Sequence, residues 1–444
     1  MTSRPPTPAP HPVVGNTYQF AQSPFEFIDK AKDDHGDVFN IDLFGRPDLY
    51  VLTHPDHVRQ VLVDEPEAFA KTQDFARAFG DGLLAIDDAR WADHNRMLQP
   101  MFQAERIREH TDVIRERVER RLDTWEAGDV IDVEAQMNGL ALEILFAVVL
   151  GRDLGVGEDD HLREAANRLG YWFEPISWTL PSWVPTPARR KFRDARATLR
   201  EEGERLIDER REEGVDGDDL LSTLLRASEG DAPVELSDEQ IYDQMVTMIF
   251  AGHETTATVM TFAWYLLATH PAVRRRLHEE LDAVLGDEPP TADTLGELDY
   301  LDHVVNETMR LYPPVHTIPR RTRLDVEVGD YRIPAGEEVH LSVLQIHRDG
   351  RFYEDPLGFH PERWDDEEDA GDEDDRENFA FVPFGAGRRS CLGRPLALTE
   401  AKTVLATVMQ RCDLEATKRA VELGGRITSK PKEGVPMRVT PLDG

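Results

Sequence analysis

Apolar residues recur every three to four positions through most of the middle of the chain, from Trp91 to Leu311. This spacing is typical of helices that bury one face. It predicts helices at residues 90–102, 104–126, 133–150, 160–172, 187–213, 217–228, 238–269, 271–285, 294–296 and 298–311. Outside this stretch, helices are expected from Pro24 to His35, from Asp56 to Val63, and after Gly393 as far as about Gln410.

Short apolar runs between turn residues flank this helical middle and predict small β-sheets. Val38 to Phe44 and Leu49 to Thr53 lie on either side of a turn and predict a hairpin. Further short strands are expected between Leu324 and Leu344 and near the C-terminus, around 426–428 and 437–440. The chain is therefore predicted to be mainly α with small β-sheets.

Four segments lack a clear period. Residues 1–20 are rich in proline and are predicted to be extended, and Phe69 to Leu84 is predicted to be a mobile loop. Residues 365–377 are almost all acidic, which is typical of a solvated surface loop. The stretch 171–187 combines aromatic residues with prolines, which fits either an ordinary helical corner or an apolar lip over a ligand channel. No repeat or linker divides residues 1–444, so one domain is expected.

The cysteine count and the hydropathy narrow the class of protein. Only Cys391 and Cys412 occur in 444 residues, so no disulfide framework is implied. No signal peptide is visible, and no run of about 18 apolar residues could anchor the chain in a membrane. A cytoplasmic monomer without an integral anchor is expected.

The net charge of −35, from 86 acidic and 51 basic residues, excludes nucleic acid as an expected partner because phosphates would be repelled. Such a charge fits either an acidic partner-binding tail or solubility at high salt. The acidic residues are spread over every predicted helix, which favours the second interpretation. The composition resembles that of extreme halophiles.

The predicted helix 238–269 is unusually long and carries polar residues in its apolar middle. Ser237 and Gln240 form a capping-box pattern at its start, and about 1.5 Å per residue gives a length on the order of 45 Å. Gly252, Glu254 and Thr255 lie in the middle. The Thr255 hydroxyl could bond to the carbonyl of Ala251 and open a bulge for a small ligand.

A glycine-rich loop, Phe384 to Gly393, surrounds Cys391 just before a predicted helix. The helix dipole and converging backbone N–H groups favour a thiolate there. Gly385, Gly387 and Gly393 allow left-handed backbone angles and the close approach of a flat ligand. From the residues alone, the thiolate could be a nucleophile, a zinc ligand or an axial haem ligand.

A third feature is the pair Glu307 and Arg310, three residues apart on a predicted helix. Such pairs are common and stabilise a helix only by tenths of a kcal/mol. Arg363 could complete a buried Glu–Arg–Arg cluster with them.

In order and spacing, these features resemble the cytochrome P450 family, whose haem signature FxxGxRxCxG is matched at Phe384, Gly387, Arg389, Cys391 and Gly393. The resemblance runs from the proline-rich start to the last strands. It implies the fold of that family, with the long helix over a haem b whose iron is ligated by the Cys391 thiolate. It also implies that Glu254 and Thr255 deliver protons to bound O2, and that Glu307, Arg310 and Arg363 are a structural triad.

The resemblance assigns further cofactor contacts to Phe384, Gly385, Gly393, Ala251, Trp91, Arg320 and Arg389. The arginines match positions that bind the haem propionates. The family often has a basic residue four positions after the tryptophan, where this chain has Asn95. Neighbouring His94 and Arg96 are therefore also candidates.

The expected activity is that of a haem-thiolate monooxygenase that uses O2 and takes electrons from a separate ferredoxin or flavodoxin and its reductase. Arg388 and Arg394 are candidates for docking that partner. Two alternatives remain: a peroxygenase or isomerase that needs no reductase, and a haem sensor without catalysis. An intact Glu254–Thr255 pair argues against the first, and the sensor would need no proton relay.

The substrate is expected to be lipophilic, such as a fatty acid, isoprenoid or carotenoid. The expected lining consists of Phe75, Phe79, Ala251, Val315 and Ile318, with Trp172 and Phe173 above. Cys412 is expected to pack in the core, and His253 to be a groove-facing neighbour of Glu254 without a ligand role.

Overall fold

The framework is helical, and most helices begin and end close to the predicted residues. In the computed structural model the helices are α1 Thr17–Gln22, α2 Pro24–His35, α3 Pro55–Arg59, α4 Gln73–Phe79, α5 Asp88–Leu98, α6 Ala104–Glu109, α7 Thr111–Leu122, α8 Val133–Val149, α9 Asp160–Arg168, α10 Pro187–Glu213, α11 Leu220–Ser228, α12 Asp238–Thr269, α13 Pro271–Val284, α14 Asp299–Leu311, α15 Val343–His347 and α16 Arg394–Met409. A π-helical turn, Gln60–Asp64, follows α3. Single 3₁₀ turns lie at Pro66–Ala68, Gln99–Phe102, Leu169–Phe173, Thr294–Glu297, Pro361–Trp364 and Gly387–Arg389.

The structure describes residues 3–442, apart from 158, 175–176, 178–183, 215–216, 218, 229–233, 366–378, 419 and 426. Most of the predicted acidic loop 365–377 and most of the second half of the aromatic segment therefore lie outside the described residues. Asp365, at the start of that loop, is exposed.

Short strands form four small sheets. The strands are β1 Val38–Ile41, β2 Leu49–Leu52, β3 Phe69–Ala70, β4 Val130–Asp132, β5 Ile318–Thr322, β6 Val326–Val328, β7 Tyr331–Ile333, β8 Glu338–Leu341, β9 Cys412–Ala416, β10 Leu423–Gly425, β11 Ser429–Pro431 and β12 Pro436–Pro441. The largest sheet has the order β1-β2-β8-β5-β3. The predicted hairpin β1–β2 is antiparallel, with Val38 opposite Leu52, and β2 runs parallel to β8.

Helix α12 is buried along most of its length and packs closely against α8. Both halves of its capping box are present. At the crossing with α8, a Cβ atom on Gly252 would lie 2.8 Å from Cδ1 of Leu145. This close approach explains a glycine that otherwise costs a helix about 1 kcal/mol relative to alanine.

Four predictions of local structure were wrong. Residues 427–428, within the strand expected around 426–428, lie between β10 and β11 and are not part of a strand. Part of 1–20 is not extended, because α1 begins at Thr17. The predicted helix 104–126 is divided at His110. Within the predicted loop 69–84, residues 69–70 form β3 and 73–79 form α4.

The region after α4 is held by polar residues of α12. The N–H of Asp81 donates to Oδ2 of Asp243 at 2.9 Å, and the N–H of Leu83 donates to Oε1 of Gln244 at 3.0 Å. These partners are about 160 residues away, so no local period reveals them. Among the described residues, no helix is both long enough and apolar enough to cross a membrane.

Candidate active site: a cysteine loop facing the long helix

A cavity of about 340 Å³ lies between the cysteine loop and α12. Its lining is mostly apolar, and Cys391 is exposed to it. Of the predicted site residues, the following line it: Phe75, Trp91, Ala251, Thr255, Val315, Ile318, Arg320, Phe384, Gly385, Arg389, Cys391 and Gly393. The fold thus brings together one surface that carries a sulfur and another that carries a hydroxyl.

The Cys391 sulfur lies at the start of α16, as the sequence predicts. The backbone N–H of Cys391 donates to the carbonyl of Phe384 at 2.9 Å, which closes the loop. Burial raises the pKa of the Cys391 thiol, and the backbone N–H groups of Gly393 and Arg394 oppose that rise by bonding to the sulfur. These donors would stabilise a thiolate bound to a metal.

Two of the three loop glycines have the predicted left-handed backbone. Gly385 has a φ of +73° and Gly387 a φ of +67°, and a Cβ atom on Gly387 would lie 2.4 Å from the carbonyl oxygen of Leu62. The prediction was wrong for Gly393, whose φ is −82°. A Cβ atom on Gly393 would instead lie 4.0 Å from Cys391 Sγ, so glycine keeps the space beside the sulfur free.

Thr255 faces this cavity from α12. Its hydroxyl donates to the Ala251 carbonyl at 2.7 Å, as expected, but the backbone stays α-helical through this turn. The neighbouring Glu254 does not line this cavity; its side chain lies in a second, polar cavity. The two residues therefore face different spaces.

Positive charge gathers at one edge of the main cavity around a single carboxylate. Arg389, only 7% exposed, places Nη2 at 2.8 Å from Oδ1 of Asp87 and lies 5.9 Å from the Trp91 ring centre. Its Nε and Nη2 are nevertheless buried without a hydrogen-bond acceptor in the described structure. Burial and the nearby Arg389 charge lower the pKa of Arg320 to about 10. This edge has spare donors for an anionic ligand.

Lys71 is a third cation at this edge and was missed by the sequence reasoning. Its Nζ donates to the Leu83 carbonyl at 2.5 Å, and its backbone N–H donates to Oδ2 of Asp87 at 3.0 Å. Burial and the charges of Arg389 and Arg320 lower the pKa of the Lys71 ammonium to about 7, against the effect of Asp87. Lys71 lies in the segment that the sequence predicts to be a mobile loop, so no sequence signal indicated its position at the cavity.

His94 and Arg96 do not line the cavity. His94 is buried and its Nδ1 lies 2.8 Å from Nε2 of Gln244, while Arg96 is 71% exposed and pairs with Asp93 at 3.2 Å. Asn95, the residue at the family's basic position, faces the cavity instead. The expectation that His94 or Arg96 contacts the cofactor therefore does not agree with the geometry.

Glu307, Arg310 and Arg363 form the predicted buried cluster. Nε and Nη2 of Arg310 each donate to Glu307 at 2.8 Å, and Nε of Arg363 donates to Glu307 at 3.2 Å. The remaining donors of Arg310 bond to the carbonyls of His347, Pro356 and Gly358. All five N–H groups of this buried guanidinium therefore have acceptors.

His347 joins this cluster to the cysteine loop and was also missed. Its Nε2 accepts from the Val382 N–H at 2.9 Å, and its Nδ1 lies 3.3 Å from the Met309 carbonyl. Burial lowers the pKa of His347 to about 3, so the ring is neutral and Nδ1 carries the proton. The chain just before Phe384 is thereby fixed to α14.

Only part of the predicted aromatic lining reaches the cavity. Phe79 and Phe173 form a second layer behind it, with ring centres 4.7 Å from Phe250 and 5.2 Å from Phe75, respectively. Trp172 points elsewhere: its Nε1 donates to the Asp74 carbonyl at 3.1 Å and its ring packs on Phe192. The lining residues that the sequence reasoning missed include Met248, Phe250, Leu83 and Ile427.

Cys412 and His253, the two remaining candidates, are both buried and do not line the main cavity. Cys412 is buried in β9, and burial raises the pKa of its thiol to about 11, which fits core packing. His253 lines neither cavity and is buried, with Nδ1 2.6 Å from the Ile249 carbonyl and Nε2 3.3 Å from Oδ1 of Asn167. It therefore does not face a groove.

Comparisons with known proteins agree with this geometry. The sequence model of the cytochrome P450 family matches residues 5–433. Cyclooctat-9-en-7-ol 5-monooxygenase of Streptomyces melanosporofaciens is 33% identical over 413 residues, covering 91% of this chain and 88% of the relative. Pentalenene oxygenase of Streptomyces avermitilis is 32% identical over 413 residues, covering 91% of this chain and 90% of that relative.

A solved structure shows the same architecture. The crystal structure of the cytochrome P450DA heme domain matches with a TM-score of 0.88 and 27% identity, covering 100% of this chain and 99% of that chain. The predicted fold class is thereby confirmed. The chain therefore belongs to the cytochrome P450 family, and it is a cytochrome P450 monooxygenase.

Proposed function

We propose that this monooxygenase hydroxylates or epoxidises an isoprenoid-type lipophilic substrate at a haem ligated by Cys391. The observation that carries the proposal is that Cys391 and Thr255 line one apolar cavity, whose edge holds the buried guanidinium of Arg389 with no hydrogen-bond acceptor for its Nε–H in the described structure. When bound, the haem supplies O2 activation. The space that Gly393 leaves beside the sulfur and the cations Arg389, Arg320 and Lys71 fit a planar ligand with two carboxylates.

The residues of this chain then have separate tasks. The N–H groups of Gly393 and Arg394 hold the sulfur as a ligand, and the apolar lining positions the substrate and excludes water. Thr255 holds a water or proton donor at its hydroxyl, and Glu254 supplies the proton from the neighbouring cavity.

The substrate class rests on two observations. Phe75, Val315 and Ile318 give the cavity an apolar wall. The relatives named for cyclooctat-9-en-7-ol and pentalenene act on polycyclic terpenoids. Fatty acids and carotenoids remain in the test panel.

Optical titration tests this assignment. Terpenoid hydrocarbons and alcohols, fatty acids and carotenoids are added to the haem protein in molar salt, and the Soret band is recorded. The proposal expects the largest shift from a terpenoid. A shift with fatty acids alone would contradict the isoprenoid assignment.

Replacement of Thr255 with alanine tests the catalytic assignment. The variant keeps the fold but loses the hydroxyl that holds the proton donor, so reduced cofactor is expected to be consumed with release of peroxide and loss of product. Thr269→Ala is the matched control, because the Thr269 hydroxyl bonds to the Tyr265 carbonyl at 2.8 Å in the same helix and lines neither cavity. Unchanged coupling in Thr255→Ala would remove Thr255 from the mechanism.

The electron donor is proposed to be a ferredoxin or flavodoxin that docks beside the cysteine loop. Arg388 and Arg394 lie on the two sides of Cys391; Arg388 pairs with Glu67 at 2.9 Å and Arg394 lies 5.6 Å from the Phe384 ring centre. Charge reversal at both arginines should slow reduction of the haem, whereas reversal of the distant Arg205 should not. Equal reduction rates would contradict docking at this face.

The domain organisation, the oligomeric state and the location of the protein in the cell are also proposals. One haem domain spanning residues 1–444, a monomeric state and a cytoplasm of high salt would fit the dispersed charge of −35. Sedimentation in molar KCl tests the monomer, and the salt dependence of stability is considered below.

A further inference from the structure

A second cavity of about 550 Å³ adjoins α12 beside the main one. Glu254, Thr258 and Thr261 line it, whereas Ala251, Thr255 and Val259 line the main cavity. Successive helical residues point about 100° apart, so the two sets occupy neighbouring faces of α12. Its walls carry many charged and amide side chains, and such a space can hold several bridging waters.

Glu254 lines the second cavity, and its neighbour Thr255 lines the main one. Nζ of Lys430, on β11, lies 3.9 Å from Oε1 of Glu254; these side chains are 34% and 12% exposed. The Thr258 hydroxyl bonds to the Ser429 carbonyl at 2.9 Å and fixes β11 against α12. Lys430 is therefore held close to the acid of the acid–alcohol pair.

Glu134, on the first turn of α8, is a second acid in this cavity. Burial, together with the charges of Asp132 and Glu254, raises the pKa of its carboxyl to about 7 against the opposing effect of Lys430. A carboxyl of this kind exchanges protons readily near neutral pH.

Most other charged residues of the cavity have partners of their own, and Arg163 also pairs with the buried Glu143 at 2.8 Å. Arg163 pairs with Asp160, Arg168 pairs with Glu164, and the Lys191 ammonium lies 4.3 Å from the Tyr171 ring centre. Glu134 therefore interacts mainly with Asp132, Glu254 and Lys430.

We propose that the second cavity is the proton entry of this enzyme, with Glu134 passing protons through water to Glu254 and Lys430 acting as a positioning residue for the Glu254 carboxylate. The proposal rests on the proposed role of Glu254 and Thr255. It adds a donor on α8, Glu134, and a cation on β11, Lys430, to that pair.

The transfer balances as a proton relay. The O–H bond of Glu134 breaks, its proton passes to a water, and a proton of that water forms the O–H bond on Glu254. Glu134 is left as a carboxylate and regains a proton from solvent, which supplies the protons consumed with O2. No electron moves in these steps.

The experiment follows oxygen consumption by the holoenzyme with a bacterial ferredoxin, its reductase and NADH, without added substrate. Glu134→Gln should lower the rate several-fold and raise the solvent deuterium isotope effect. The wild-type rate should fall as pH rises through about 7, because Glu134 then loses its proton, and this fall should vanish in the variant. The matched control is Glu164→Gln, which alters a paired acid in the same cavity.

Lys430 gives an independent variant. Lys430→Met should lower the rate and raise the isotope effect, and Lys430→Arg should restore both, because a cation again faces Glu254. A purely structural role would change the urea midpoint without changing the isotope effect. Rates, isotope effects and pH profiles like those of Glu164→Gln would overturn the proposal.

Infrared titration gives a readout that does not depend on turnover. The difference between the resting wild type and Glu134→Gln should contain a protonated carboxyl band that disappears near pH 7 and shifts in Lys430→Met. Absence of that band between pH 6 and 8 would contradict the donor role of Glu134.

The result can be separated from failure of the proposed function. If Thr255→Ala releases peroxide while Glu134→Gln behaves as Glu164→Gln, the acid–alcohol pair stands and the proton entry fails. If Thr255→Ala stays coupled, the role of the pair itself fails.

Discussion

At the scale of single residues, the site depends on contacts that link positions far apart in the sequence. Lys71 follows β3, Arg320 lies in β5 and Arg389 lies in the cysteine loop, yet all three face one edge of the cavity. Burial, together with repulsion from the neighbouring arginines, lowers the pKa of Lys71 and of Arg320. An anionic cofactor would relieve this repulsion, so the cations favour the loaded protein.

Lys71→Met should therefore release haem faster. Loss of one charge-assisted contact, about 1.5 kcal/mol or more, corresponds to about tenfold in affinity. Transfer of haem to excess apomyoglobin measures the rate, and Lys191→Met, which alters a lysine of the second cavity, is the control. Equal transfer rates would remove Lys71 from the cofactor contacts.

His347 predicts a pH dependence of stability. Burial lowers its pKa from the ordinary 6.5 to about 3, so only the unfolded chain takes up a proton between these values. The free energy of unfolding should therefore be fully retained above pH 6.5 and fall as pH decreases toward 3. Urea titrations at several pH values measure the free energy of unfolding. Between pH 6.5 and 3 this free energy should fall less steeply with decreasing pH in His347→Gln than in the wild type.

Two variants at this position separate hydrogen bonding from size. His347→Ala leaves the Val382 N–H and the Met309 carbonyl unpaired and should cost about 1–3 kcal/mol. Glutamine can still accept from Val382, so His347→Gln should cost less. If both variants lose the same free energy of unfolding at pH 7, the role of His347 as a hydrogen-bonded bridge between Val382 and Met309 is contradicted.

At the scale of elements, local signals predicted α12 and the cysteine loop well. A capping box starts α12, His270 and Pro271 end it, and the glycines around Cys391 lie within ten residues of one another. Helix α4 was missed because Asp243 and Gln244 of α12 hold the chain that follows it. Lys71 and His347 were missed because their hydrogen-bond partners, 12 to 38 residues away, follow no local sequence period.

The crossing of α12 and α8 gives a test at this scale. Gly252→Ala puts a methyl group 2.8 Å from Cδ1 of Leu145, so overpacking of about 1–3 kcal/mol should exceed the gain of about 1 kcal/mol in helix propensity. Shortening the facing side chain with Leu145→Val should reduce that cost. Urea unfolding of the two single variants and the double variant measures the coupling.

Gly296→Ala is the control, because a Cβ atom there meets no atom within 4 Å. It should change the free energy of unfolding by no more than about 0.5 kcal/mol. Additive effects of the Gly252 and Leu145 substitutions would show that the two helices adjust independently.

At the scale of the whole molecule, the net charge of −35 should make stability depend on salt. Salt at 1 M shortens the screening length to about 3 Å, which weakens the repulsion among acidic residues. Exposed ion pairs also weaken, but each contributes only about 0–1 kcal/mol. The urea midpoint should therefore rise between 0.15 and 2 M KCl.

Betaine at equal osmolality is the control, because it adds no ionic screening. A midpoint that is flat or falls with KCl would contradict the proposed adaptation to high salt. Such a result would not contradict the assignment of the fold or of the active site.

The central claim is that Cys391 holds the haem iron as a thiolate, and the spectrum of the reduced, CO-bound protein tests it most directly. The wild type should show the red-shifted Soret band of a thiolate-ligated haem, and Cys391→Ser should lose it. A wild-type spectrum without that band, or a Cys391→Ser variant that retains it, would contradict the assignment.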